Sequence, residues 1–303
     1  MRRGGRPRKR RVDFLRVALA TCAQVPKGDD EAPALTEALE RRGVKAEPAV
    51  WDDPTVDWAS FDIVVIRSTW DYPARRRQFL DWAQSLPSVL NAPEVLRWNT
   101  DKRYLQALGK TAVQTTFLEP GSSFRPPSAP FVVKPSVGAG SIGAASYEAG
   151  DSRAQRHVAE LHAAGKTVMV QPYVAAIETD GEIALIYLGG RYSHAVRKEP
   201  LLAVGGGPAT GLYLEETLTA AQASPLERDV AAHALGAIPF RQEELLYARV
   251  DLLPGPAVLE IELTEPSLFI GYDPDASDRF ADAITAASQR RRIKAENGPT
   301  ASQ

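Results

Sequence analysis

Two charge pairs with alternate spacing stand close together late in the chain: Arg249 and Asp251 in YARVDLL, and Glu260 and Glu262 in VLEIEL. On an extended strand alternate side chains share a face, so the members of each pair project together. The two runs flank Pro254-Gly255-Pro256 and read as strands 245–253 and 257–263 of one hairpin. Three carboxylates on one face repel unless a cation lies among them. Hard oxygen donors suit Mg²⁺, which keeps waters and is completed by phosphate oxygens. A solvated strand face is the plainer alternative, because apolar Val258, Leu259, Ile261 and Leu263 surround the acids. Upstream, Lys134 ends an apolar strand and enters a glycine-rich loop, Pro135 to Gly143. Backbone N–H groups of such a loop can cradle an anion while the lysine adds a point charge. The loop matches neither GxxxxGK[ST] nor GxGxxG, so alone it can equally be a turn. Lys102, on a predicted helix, is a weaker candidate of the same kind.

The elements that must carry these residues are those of an α/β chain. Phe14–Thr21, Lys45–Val50, Asp62–Arg67 and Val89–Leu90 read as strands, with helices over Asp30–Arg42 and from Pro73 to Ser85. Gly43 is a natural stop for the first helix. The third strand ends in Arg67-Ser68-Thr69-Trp70-Asp71-Tyr72. Ligands of doubly wound sheets sit beyond the carboxyl ends of strands, so this cluster is a candidate substrate pocket. Further on, strands are expected at 131–134, 167–170, 182–188 and 191–198, with helices over Ser152–Ala164, from Ser224 to Gly236, and over Phe280–Ala287. Gly205-Gly206-Gly207 reads as a lid hinge or a plain loop. His194 is a phosphate ligand or base, or a structural strand histidine.

Composition narrows the class. A chain of 303 residues with 44% hydrophobic and 24% charged residues is not disordered and is expected to hold two or three subdomains. No apolar run is long enough to span a bilayer, and no signal-like apolar stretch follows the basic start. A single cysteine, Cys22, excludes an intramolecular disulfide and reads as a core residue on the first strand. Residues 1–11 hold seven basic residues; residues 289–303 hold four, with one acid. Of 36 basic and 38 acidic residues, 25 and 37 remain in 12–288, a net of −12. A core this acidic argues against binding nucleic acid, whose phosphates need a basic face. The expected setting is cytoplasmic, with no membrane partner; homo-oligomerisation is open.

Taken in order, Lys102, Lys134 with its loop, Val170-Gln171-Pro172-Tyr173-Val174, Gly181-Glu182, Arg249-x-Asp251 and Glu260-x-Glu262 resemble the ATP-grasp ligases over about residues 13–288. The resemblance implies an α/β and α+β fold in which a Rossmann-like N-terminal domain precedes two α+β subdomains that clamp ATP. Residues 1–12 would be a flexible basic head, 13–100 the N-terminal domain, 101–170 and 171–288 the two subdomains, and 289–303 a flexible tail. It further implies that Lys102 and Lys134 hold the ATP phosphates under a loop that includes Gly138, Ala139, Gly140 and Ser141. Gln171, Pro172, Tyr173 and Val174 would meet adenine, with Gln171 where many members have Glu. Glu182, or its rival Glu178, would accept from ribose. Arg197 or Lys198 would meet the γ-phosphate and Arg249 the transition-state oxygens. Asp251, Glu260 and Glu262 would hold two Mg²⁺ ions, with Mn²⁺ as an alternative; Glu262 replaces the usual Asn.

Narrower strings, STWDY (68–72), WNTDKRYL (98–105), YSHAVRKEP (192–200) and LEIELTEPSLF (259–269), resemble one branch of that family: cyclo-ligases that close O-ureido-D-serine to D-cycloserine in antibiotic biosynthesis. That branch implies a small, polar, amino-acid-derived substrate held by Arg67, Ser68, Thr69, Trp70, Asp71, Tyr72 and Ser267. Its carboxylate would be activated as an acyl phosphate and attacked by nitrogen of the same molecule. Two other readings stay open: a ligase joining the carboxylate to an external amine, and a non-catalytic nucleotide-binding module.

Overall fold

Strand β1 (Leu15–Thr21) is apolar on both faces because it serves two cores. Val17 and Leu19 pack with Leu35, Ala38 and Leu39 of helix α1 (Ala32–Glu40). Ala18 and Ala20 face the other way, onto Phe79 and Ala83 of α2 (Arg76–Ser85). With β2 (Val44–Val50), β3 (Ile63–Ser68) and β4 (Val89–Leu90) they form a parallel sheet of order β2-β1-β3-β4. Gly43, at φ 70°, makes the left-handed exit from α1 expected of it. The computed structural model describes residues 14–202 and 207–296. The expected head at 1–12 and most of the 205–207 glycine run lie outside them.

After α3 (Pro93–Asn99) and a 3₁₀ stretch, Lys102–Thr111, a second, antiparallel sheet follows. Its strands are β5 (Thr116–Leu118), β6 (Phe131–Pro135), β7 (Ala145–Tyr147) and β8 (Val168–Pro172), in the order β5-β8-β6-β7. Helix α4 (Arg153–Ala163) covers one face through Ala154, Val158 and Leu161. A short turn of helix, α5 (Ile177–Asp180), leads into the third sheet. That sheet runs β11-β10-β9-β12-β13, from β9 (Glu182–Leu188), β10 (Arg191–Lys198), β11 (Leu218–Ala221), β12 (Tyr247–Leu253) and β13 (Ala257–Glu262). Helix α6 (Pro225–Ala237) opens on a Ser224–Glu227 capping box and packs Ala231, Ala234 and Leu235 on this sheet.

Strand β13 is an edge, and side chains satisfy its outer backbone groups. The Asn99 amide donates to Ile261 O (2.7 Å), and its oxygen accepts from Leu263 N (2.7 Å). Tyr104 Oη donates to Ile261 O (2.6 Å) and accepts from Ile261 N (2.8 Å). Asn91 ties β4 to β12 by donating to Tyr247 O and accepting from Leu246 N. Helix α7 (Ala276–Glu296) is much longer than the apolar stretch 280–287 and takes in the first residues of the expected 289–303 tail, whose residues 297–303 lie outside the described ones. Arg291, within that helix, donates to Ser88 Oγ (2.6 Å) and Val89 O (2.8 Å).

Candidate active site

A cleft of about 710 Å³ lies where the three sheets meet. The hairpin β12–β13 forms its floor. Its register pairs Arg249 with Glu262 and Asp251 with Glu260, so the four side chains share one face, as alternate spacing requires. Ligand oxygens of Asp251, Glu260 and Glu262 all lie within 4.8 Å of one another. These acids do not form a solvated face: Asp251 is buried, and the other two are only partly exposed, at the cleft wall.

Cations neutralise the floor from three elements. Arg249 Nε donates to Asp251 Oδ1 (2.9 Å), and Arg249 Nη2 pairs with Glu262 (2.8 Å). Lys198, from the end of β10, pairs with Asp251 (2.9 Å) and Glu182. Lys102 lies 3.5 Å from Glu260 and donates to Gly138 O (2.8 Å), bridging hairpin and glycine loop. Burial opposes charge on every one of these groups. Against it, Arg249 and Lys198 hold Asp251 below its ordinary range, and Lys102 holds Glu260 well below. Glu262 goes the other way, pushed well up by burial and by Glu260, although Arg249 pulls down. Glu182 is raised by burial, with Lys198 opposing. Lys134, also on the wall, is lowered by burial.

The glycine loop forms the roof. Gly140 and Ser141 have φ of 57° and 61°. Segment 207–216 is strapped to the loop by Gly143 N to Ala209 O (2.9 Å), Ala209 N to Ala144 O (3.1 Å) and Leu214 N to Gly140 O (3.2 Å). Tyr213 on this strap meets Trp70 edge-on, with ring centroids 4.9 Å apart. Gly138, Ala139, Gly140, Ser141, Gln171, Pro172, Tyr173 and Val174 all line the cleft. The Gln171 amide nitrogen donates to Thr115 Oγ1 (2.9 Å), leaving its Oε1 uncommitted.

Several expected contacts are not in the cleft. Arg197 is one residue from Lys198 and therefore points to the opposite face, where it donates to Asp180 O (2.6 Å). Glu178 accepts the Tyr173 hydroxyl (2.6 Å) outside the cleft lining, whereas Glu182 is within it. Of the 67–72 cluster, only Trp70 lines the cleft. Arg67 is buried and paired with Glu31 and Asp29, and it donates to Pro266 O (3.0 Å). Ser68 bonds Thr21 (2.9 Å), Thr69 is fully buried, and Asp71 accepts from Trp51 Nε1 (2.8 Å) and pairs with Arg75. Tyr72 lies in the core against Phe79. His194 is structural, with Nε2 3.0 Å from Leu268 O and 3.1 Å from Phe269 O. Cys22 is buried as expected.

What most of these residues hold is segment 264–269, which the sequence marked as part of the LEIELTEPSLF string but gave a role only at Ser267. Tyr247 Oη shares one proton between Thr264 O (2.7 Å) and Ile66 O (2.8 Å). Trp70 Nε1 donates to Glu265 O (3.2 Å), Arg67 to Pro266 O, Arg249 Nη1 to Ser267 O (3.0 Å), and His194 to Leu268 and Phe269. Glu31 accepts from the Leu268 and Ile270 N–H groups. The segment presents Ser267 and Glu265 to the cleft. Glu265 was given no role within its string, and the acids Asp29, Asp30 and Glu31 at the far end carried no motif, because their roles depend on contacts between distant parts of the chain.

Residues 17–91 match the family model for the N-terminal domain of D-cycloserine synthetase DcsG. The chain is 36% identical over 292 residues to the cycloserine biosynthesis protein DcsG of Streptomyces lavendulae, covering 88% of this chain and 97% of that one. It superposes on the crystal structure of D-cycloserine synthetase DcsG with a TM-score of 0.79 at 34% identity, over 91% of this chain and 99% of that one. D-alanine–D-alanine ligase from Bacillus anthracis, in complex with ATP, shares the fold at 14% identity (TM-score 0.60; 93% and 99% covered). The chain thus belongs to the D-cycloserine synthetase family within the ATP-grasp fold and is an ATP-dependent carbon–nitrogen ligase.

Proposed function

We propose that this ligase closes O-ureido-D-serine to D-cycloserine, with ATP as the phosphoryl donor. The observation that carries the phosphoryl chemistry is one cleft in which three carboxylates within 4.8 Å of one another adjoin Lys102, Lys134, Lys198 and Arg249. The substrate is inferred from the DcsG relative.

The donor set fits Mg²⁺: three hard carboxylates, without His or Cys. Asp251, Glu260 and Glu262 would hold one or two ions, of Mg²⁺ or Mn²⁺, which supply charge to the phosphates. A carboxylate resists attack by nitrogen because of its charge and resonance; phosphorylation gives it a good leaving group. Lys102 and Lys134 neutralise the phosphates beneath the glycine loop, and Lys198 and Arg249 face the transferring group. Gln171 to Val174 bound the base and Glu182 accepts from the ribose. Ser267 and Trp70 border the substrate, whose own nitrogen then attacks, so closure gains from proximity. Residues 13–100, 101–170 and 171–288 would act as three bodies around this site, in the cytoplasm.

The assay is incubation with ATP, Mg²⁺ and O-ureido-D-serine alone. ADP and D-cycloserine are expected in step, with carbon dioxide and ammonia released from the carbamoyl group. ADP formed only on adding a second amino acid would move the reading to a ligase that uses an external amine. No ADP with any acid would leave a nucleotide-binding module.

A further inference from the structure

Glu265 is a cleft carboxyl outside the hairpin cluster, and among the described residues it forms no ion pair. Its backbone oxygen is held by Trp70, and the carbonyls on either side by Tyr247 and Arg67, so its side chain leaves a fixed point. The side chain lines the cleft together with Glu260, Arg249 and Ser267. Tyr72, buried in the core, lies near enough to Glu265 to lower it.

We propose that Glu265 is the catalytic group that takes the proton from the ring-closing nitrogen, an inference that rests on the cyclo-ligase reading above. The nitrogen of an O-alkyl ureido group lies between an oxygen and a carbonyl that withdraw its lone pair. Unlike an ordinary amine, it attacks poorly until its N–H is removed. Burial pushes Glu265 up to about 8, with Lys102, Arg249 and Tyr72 pulling down and Glu260 pushing up; Tyr247 lies near. A carboxylate of that basicity accepts a proton far better than an ordinary one near neutrality. In the step, the N–H proton passes to the Glu265 carboxylate and the nitrogen pair forms the N–C bond. The C–O bond to phosphate breaks, and phosphate leaves with that electron pair. Water then hydrolyses the carbamoyl group to carbon dioxide and ammonia, giving D-cycloserine.

Glu265→Gln separates the two halves of the reaction. With ATP, Mg²⁺ and O-ureido-D-serine, ring closure should fall about 100-fold, the scale of a lost general base. Acyl phosphate should still form and be trapped by hydroxylamine as the hydroxamate, with ATP affinity by calorimetry unchanged. Tyr72→Phe, which removes the hydroxyl that lowers Glu265, should move the acidic limb of the wild-type kcat profile to higher pH. Glu265→Asp should recover part of the rate, and it serves if the Gln variant is insoluble. Ring closure within twofold of wild type in Glu265→Gln, joint loss of hydroxamate and product, or an unmoved limb in Tyr72→Phe would each overturn the role. If wild type forms ADP only with a second amine, the function reading itself fails, and that is seen before any variant is made.

Discussion

Arg67 illustrates how residue type and residue role separate. At the end of a strand beside a pocket, an arginine reads as a substrate-binding residue. Here its guanidinium is already neutralised by Asp29 and Glu31 and lies 5.5 Å from the Phe280 ring centre. Glu31 in turn holds the Leu268 and Ile270 N–H groups, so Arg67 acts on the site through the segment it anchors. Arg67→Ala would leave buried acids without their partner, and removing one member of a buried pair costs roughly 3–5 kcal/mol. Urea unfolding should therefore show a loss of that order. A variant of unchanged stability whose only defect was a raised KM for substrate would return Arg67 to direct binding.

At the scale of elements, the alternation of Arg249 with Asp251 and of Glu260 with Glu262 was legible because a strand's period is two and its hairpin turn is short. The order of lysines and glycine loop was equally legible. Strands β5, β7 and β11, of three or four residues, were not: they exist because a neighbour supplies an edge. The strap over the glycine loop was invisible for the same reason, its bonds spanning some seventy residues. Gly140 shows how tight that closure is. A Cβ there would come within 2.6 Å of Tyr213 Cβ and 2.7 Å of Tyr213 Cα, on a backbone already at φ 57°. Left-handed strain alone costs about 1–3 kcal/mol at a non-glycine residue. Gly140→Ala should accordingly lift the strap, weaken ATP binding by about tenfold or more, and speed proteolytic cleavage between Leu201 and Tyr213. Unchanged ATP affinity and cleavage would show that the strap does not depend on this contact.

Across the whole molecule, the cores are joined rather than merely adjacent. Helix α7 packs on α1 and on β9 and β10, and Arg41 and Arg42 pair with Asp278. Protonation anywhere in this body therefore reads out in one stability. Two buried histidines, His157 on helix α4 and His194 on strand β10, set its acid side. His157 lies between the Tyr147 hydroxyl (2.9 Å) and Gly143 O (3.1 Å), and His194 spans Ser193 and the Leu268 and Phe269 carbonyls. Burial lowers both below the ordinary 6.5. The unfolded chain thus binds their protons first as pH falls, and the stability they contribute is present above pH 6.5 and lost below it. Glu265 has the opposite sign. Raised from 4.5 to about 8, it holds its proton in the folded state across that interval, so its contribution is full below 4.5 and drains as pH rises toward 8. Glu182, raised to about 7, and Glu262 and Glu31, also raised, share the sign of Glu265 and add to the alkaline side. Each proton difference adds at most about 1.4 kcal/mol per pH unit to the slope. Denaturant titrations from pH 5 to 8.5 should show His194→Gln with a shallower acid limb and Glu265→Gln with a shallower alkaline limb, each leaving the other limb as in wild type. Parallel profiles for wild type and both variants would mean that neither group titrates differently on folding.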